Sequence, residues 1–109
     1  FFDMVYSNGG KAMLTSKQRA YLRSMANGLD SIFQVGKSGV TPELRDTVDK
    51  ALEARELIKM NVLDNTMIDA KEAAGILADR TGADVVQVIG NRFVLFRQSK
   101  KKPVIQLPK

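Results

Sequence analysis

A short glycine loop, Gly36-Lys37-Ser38-Gly39, is the stretch of the sequence best suited to chemistry. An apolar run at 32–35 precedes it, and a helix start, Thr41-Pro42-Glu43, follows it closely. Glycines let a ligand approach the main chain, and Lys37 adds a positive charge. The helix start offers unpaired N–H groups and the positive end of its dipole. Strand, glycine loop and helix therefore predict a phosphate site, for a nucleotide or for a nucleic acid, with a simple strand-to-helix turn as the alternative.

A nucleotide-binding loop or a nucleophilic serine fits this stretch poorly. The nucleotide pattern needs a glycine five residues before Gly36, where the sequence has Ser31. The hydrolase elbow needs one residue between Ser38 and the next glycine, and a histidine elsewhere; both are missing. A Ser38–Lys37 pair is disfavoured because adjacent residues in a tight loop rarely face each other. We therefore expect no enzymatic activity.

The composition excludes several other classes of protein. The 109 residues include no cysteine and no histidine, which excludes disulfides, thiolate or imidazole metal sites and Cys-His nucleophile pairs. No apolar run approaches the length of about 18 residues expected of a membrane span. The absence of cysteine is compatible with a reducing cytoplasm. We expect a cytoplasmic protein without a cofactor, bound metal or membrane contact.

Charge is distributed unevenly along the chain. The net charge is +4 in residues 11–40, −4 in residues 41–90 and +6 in residues 91–109. This asymmetry predicts a basic face built from the first helix, the glycine loop and the C-terminal end, as in proteins that bind nucleic acids. A basic tail left free in solvent is the alternative explanation.

Hydrophobic periodicity predicts the element order α-β-α-β-α-β-β. Helices are predicted at about 16–27, 42–56 and 69–80, and strands at 32–35, 57–63, 85–89 and 92–97. Helical crossovers favour parallel strand pairs, whereas Gly90-Asn91 predicts a hairpin between the last two strands. The expected architecture is an α/β two-layer sandwich with a mixed four-stranded sheet, whose strand order stays open.

Basic residues on both sides of the loop are candidates to extend the phosphate site. Arg19 and Arg23 are four residues apart on the first helix and are expected to reach solvent on the same side. Tyr21 is the best candidate for stacking on a base, because the phenylalanines of the strands are expected in the core. The C-terminal candidates are Lys100, Lys101 and Lys102.

Five carboxylates lie on the second helix. They are Glu43, Asp46, Asp49, Glu53 and Glu56, mostly three or four residues apart. This spacing is typical of a solvated helix face. A second hypothesis makes the same face a docking surface for a basic ribosomal protein.

Several separated stretches together resemble the CRM domain, named for chloroplast RNA splicing and ribosome maturation, in its stand-alone bacterial YhbY-like form. They are residues 33–42, 51–59, 86–91 and 99–103, and the resemblance runs from 13 to 109. It implies a fold similar to the C-terminal domain of bacterial translation initiation factor three. It also implies RNA binding, with large-subunit ribosomal RNA or its precursor particle as the partner, and plant relatives that act in group II intron splicing.

The resemblance also assigns the site and the domain boundaries. The G-x-x-G loop of the family falls on Gly36 to Gly39 and its lysine on Lys37, while Ser38 stands where another glycine is often seen. Residues 1–12 have no counterpart and are expected to be a foreign or disordered extension. The RNA-binding domain is expected at 13–98 and a basic tail at 99–109, in a monomer that assists ribosome assembly.

Overall fold

Seven elements make up the computed structural model, which describes residues 14–64, 66–101 and 103–107. They are α1 (Ser16–Ala26), β1 (Phe33–Val35), α2 (Pro42–Arg55), β2 (Leu57–Val62), α3 (Ala70–Thr81), β3 (Asp84–Ile89) and β4 (Arg92–Phe96). The predicted order is confirmed. The expected extension at 1–12 and Lys102 lie outside the described residues. No helix in the described part of the chain is long and apolar enough to cross a membrane.

Local side chains fix where each helix begins. Thr15 and Gln18 form a capping box at α1, with bonds of 3.0 and 3.1 Å between each side chain and the other's N–H. Thr41 and Asp69 accept bonds from backbone N–H groups in the first turns of α2 and α3. Gly82 ends α3 in the left-handed conformation.

The strand order in the sheet is β1-β2-β4-β3. β1 and β2 are parallel, as their helical crossover predicts, and β4 is antiparallel to both of its neighbours. The hairpin at Gly90-Asn91 is confirmed, because Ile89 pairs with Arg92. β2 and β3 run in the same direction but do not pair, since β4 lies between them. The sheet is therefore mixed, as expected.

The helices cover both faces of the sheet. α2 and α3 pack on one face over the main core, in which Leu52, Leu77 and Phe93 are buried. This part is the predicted two-layer sandwich. α1 packs on the opposite face, where Leu22 meets Phe96 in a second, smaller cluster. The second cluster exists because Leu57, Val86, Val94 and Phe96 point away from the main core.

Candidate nucleic-acid interface

The glycine loop forms a tight turn that presents two side chains to solvent. The Gly39 N–H donates to the Gly36 carbonyl at 2.9 Å, which places Lys37 and Ser38, both exposed, at the tip. Gly39 has a φ of +69°, a conformation that favours glycine, whereas Gly36 has no positive φ. A Cβ at Gly36 would lie 4.0 Å from the Leu63 side chain, an ordinary van der Waals distance, so no neighbour within the domain requires glycine at this position.

Hydrogen bonds anchor the stem of the turn to the end of the sheet. The Val35 carbonyl accepts bonds of 3.0 Å from both the Leu63 N–H and the Thr66 hydroxyl. The Val62 N–H donates to the Asn91 carbonyl at 2.7 Å. The turn thus lies beside the β2–α3 connection, and β2 is in turn bonded to the β3–β4 hairpin, so the position of the turn relative to the sheet is fixed.

The α2 N-terminus offers less to a phosphate than its sequence suggests. Pro42 has no N–H, and the Leu44 N–H is taken by the Thr41 hydroxyl at 3.1 Å. Glu43, in the same turn, is acidic. The attraction for a phosphate therefore depends mainly on Lys37 and on close approach to the turn.

Arg19 does not reach solvent, so the prediction that it shares an exposed face with Arg23 is wrong. Its side chain is only 5% exposed, and its guanidinium donates to the carbonyls of Val85 and Val86. β3 is an edge strand with a register shift at Val85/Gln87, which disturbs the ladder there. Arg19 supplies hydrogen-bond donors at this irregularity and thereby fastens α1 to the sheet.

Arg23 and Tyr21 are exposed on α1, as expected. Arg23 lies in the last turn of α1. Asn27, which caps α1, lines a groove together with Lys59 and Arg92. The phenylalanines at 93 and 96 are buried, as predicted, and Phe33 packs against the main core. Arg23 therefore remains a candidate RNA contact.

Lys100 and Lys101 lie far from the glycine loop. Lys100 and Lys101 are exposed, but their N–H groups bind the carboxylate of Glu53 in the last turn of α2. The loop precedes the first turn of this 14-residue helix, which is about 20 Å long. The lysines and the loop therefore do not form one compact patch.

The acidic face of α2 is largely engaged within the chain, contrary to the expected solvated face. Glu56 is 1% exposed and accepts bonds from the N–H groups of Ser99, Val104 and Ile105 at 2.7, 2.8 and 2.7 Å. Glu53 accepts a bond of 2.6 Å from the Ser99 hydroxyl. These carboxylates attach the segment 99–107 to the domain, so its described part is not a free tail.

Arg97 completes this cluster. Its buried guanidinium donates to a carboxylate oxygen of Asp49 and, at 2.8 Å, to the Thr81 carbonyl at the end of α3. Glu53 lies 3.5 Å away as a second ion-pair partner. The cluster ties α2, α3 and β4 to the C-terminal segment. The opposite net charges of 41–90 and 91–109 were the available sequence signal for it.

The hydrogen bonds of the cluster shift the acidity of both glutamates. The Ser99 hydroxyl and then the Lys100 N–H lower the pKa of Glu53 from 4.5 to about 2, helped by the Lys101 N–H and Arg97 against partial burial. Burial alone would raise the pKa of Glu56. The N–H groups of Ile105, Ser99 and Val104 outweigh burial and lower it.

Acid should therefore weaken the attachment of the C-terminal segment. The unfolded state binds more protons than the folded state between pH 4.5 and about 2. The free energy of unfolding should fall across this range and stay constant above it. Urea unfolding at stepped pH measures this dependence. Glu53→Gln should flatten it, and an unchanged pH dependence in that variant would contradict the assignment.

Among the described residues, no group of three or more acidic or other ligating side chains could hold a metal ion.

Known proteins resemble this chain in both sequence and structure. The family model of the CRS1/YhbY (CRM) domain matches residues 14–97. The chain is 47% identical over 96 residues to the probable RNA-binding protein YqeI of Bacillus subtilis, covering 88% of this chain and 100% of YqeI. It is 36% identical to the probable RNA-binding protein MJ0652 of Methanocaldococcus jannaschii, covering 91% of this chain and 76% of that protein.

A solved structure supports the same assignment. The solution structure of the hypothetical protein SAV1595 from Staphylococcus aureus superposes with a TM-score of 0.74 at 48% identity, covering 88% of this chain and 100% of the other. Sequence and fold therefore agree with the resemblance noted in the sequence. The chain belongs to the CRS1/YhbY (CRM) domain family.

Proposed function

We propose that this protein binds ribosomal RNA of the large subunit, or its precursor particle, and assists ribosome assembly in the cytoplasm. It acts as a monomer and by binding alone, without catalysing a reaction. Membership of a family whose relatives are named RNA-binding proteins supports RNA as the partner. The large subunit as the target comes from the resemblance in the sequence.

The observation that carries this proposal is the exposed Lys37–Ser38 tip on an anchored stem. The lack of a side chain at Gly36 lets an RNA backbone come close to the main chain, and Lys37 neutralises a phosphate there. Because the stem is fixed by hydrogen bonds, little ordering of the loop is needed on binding.

The test compares RNAs of equal length and charge. Fragments of large-subunit ribosomal RNA should bind more tightly than small-subunit fragments and transfer RNA, by at least about tenfold at physiological salt. Fluorescence anisotropy with unlabelled competitors measures the preference. Equal affinity for all three RNAs would contradict the large-subunit target, and no binding to any of them would contradict RNA binding itself.

The acidic face of α2 does not provide a second candidate function. Asp49, Glu53 and Glu56 bind residues 97–105 of the same chain. Asp46 pairs with Arg45 at 3.1 Å. A basic protein partner would therefore have to compete with contacts that hold the C-terminal segment in place.

A further inference from the structure

Within the described residues, part of the sheet face that carries α1 is uncovered and polar. α1 and the C-terminal segment cover Leu57, Val94 and Phe96 at one end of this face. Towards the other end, strand register places polar side chains on the same face: Gln34, Lys59, Asn61, Gln87 and Arg92. We call these five residues the open sheet face.

Three members of the open sheet face form a row across neighbouring strands. Gln34 of β1 pairs with Asn61 of β2, and Asn61 pairs with Arg92 of β4. Neighbouring strands lie about 4.8 Å apart, so the row spans roughly 10 Å. An extended ligand crossing the strands can therefore meet two amides and one guanidinium in succession.

These side chains are available to a ligand. Gln34 and Arg92 are exposed and Asn61 is half-buried, and within the described residues none of the three has a side-chain hydrogen bond or ion pair. Lys59 donates to the Leu29 carbonyl at 3.2 Å and retains further donors. An amide both donates and accepts, which suits it to the edge of a base.

The glycine loop and the open sheet face are continuous. Gln34 precedes Gly36 by two residues, and Arg92 begins β4 at the same end of the sheet. Charge indicates on which of the two sheet faces an RNA strand would continue from the loop. The surface on the α3 side of this end carries Asp64, Asp69 and Glu72, which repel phosphates. The open sheet face carries two cations, and the acid of β3 on this face, Asp84, lies at the opposite end.

We propose that the open sheet face reads the bases of a single-stranded RNA segment whose phosphates are held at the glycine loop. Gln34 and Asn61 form hydrogen bonds with base edges, and Arg92 pairs with a base or a phosphate. Single-stranded bases are accessible to such contacts, whereas those of an RNA helix are not. This inference rests on the proposed RNA binding and adds base selectivity to it.

The experiment uses homopolymeric oligonucleotides of adenosine, uridine and cytidine, all of one length, with the full chain. Wild type should bind one of them more tightly than the others. The double variant Gln34→Ala/Asn61→Ala should lose about tenfold of this preference, because a well-formed pair of base contacts discriminates by about that factor. The slope of log affinity against log salt should not change, since amides neutralise no phosphate.

The matched control is Gln98→Ala, an exposed amide beyond the far end of β4, which should retain the preference. Urea unfolding of each variant confirms that it is folded. A wild type without base preference, or a double variant with undiminished preference, would overturn base reading while leaving RNA binding intact. An equal loss for every oligonucleotide would overturn it too. Absence of any RNA binding would overturn both proposals.

Discussion

Replacing Glu56 with alanine is expected to destabilise the protein by about 3 kcal/mol, because charge-assisted hydrogen bonds contribute more than neutral ones. The buried carboxylate accepts three backbone bonds, from Ser99, Val104 and Ile105. Without it, the C-terminal segment loses its main attachment, and Ile105 no longer covers the second cluster. Urea unfolding monitored by circular dichroism gives the change in the free energy of unfolding.

Two further variants test whether the loss of stability comes from the Glu56 carboxylate itself or from the removal of any acidic side chain. Glu56→Gln keeps one acceptor oxygen but turns an amide donor towards an N–H group. Its free energy of unfolding should therefore fall by about half as much as that of Glu56→Ala. Asp79→Ala removes an exposed acid from α3 and should change little. Trypsin should cleave after Lys100 and Lys101 faster in Glu56→Ala than in wild type. Equal stability and cleavage in Glu56→Ala would contradict the role of Glu56.

Reversing the charge at the loop tip, Lys37→Glu, is expected to weaken RNA binding by on the order of tenfold, since a surface ion pair becomes a repulsion of similar size. Lys37 is exposed and makes no side-chain bond within the described residues, so stability should not change. Anisotropy with a large-subunit RNA fragment measures the affinity, and urea unfolding the stability.

The matched control for this variant is Lys71→Glu. Lys71 is exposed in the first turn of α3 and carries the same charge, but it stands between Asp69 and Glu72 in the sequence, and both are exposed acids. Its reversal should weaken binding much less. An equal loss in both variants would mean that net charge alone, and not the loop, attracts the RNA.

Local patterns were sufficient to predict most elements. Capping residues such as Thr15 and Thr41 act within one helical turn, and the hairpin at Gly90-Asn91 depends on two residues. The insertion of β4 between β2 and β3 depends on pairing between distant strands. The α1 layer likewise depends on which strand faces carry apolar residues, and these become clear only once the sheet is assembled.

In the candidate site, too, local features were predictable from the sequence and long-range contacts were not. The turn at Gly36 to Gly39 is local, and its form agrees with the prediction. Arg19 was expected in solvent because it lies four residues from Arg23 on the first helix, but carbonyls at an irregular edge strand 66 residues away bind it. The helical spacing of Glu53 and Glu56 favoured a solvated face, and it carries no information on their partners, which lie at 97 and beyond, more than 40 residues away in the sequence.

The salt dependence of RNA binding tests the central claim most directly. With Arg19 buried and Lys100 and Lys101 remote, four cations remain as candidate contacts: Lys37 in the loop, Arg23 on α1, and Lys59 and Arg92 on the open sheet face. If all four neutralise phosphates of single-stranded RNA, log affinity should fall with log salt at a slope of roughly −3, and Lys37→Ala should reduce its magnitude by about 0.7. A slope near zero, or one that Lys37→Ala leaves unchanged, would contradict a phosphate site at the glycine loop.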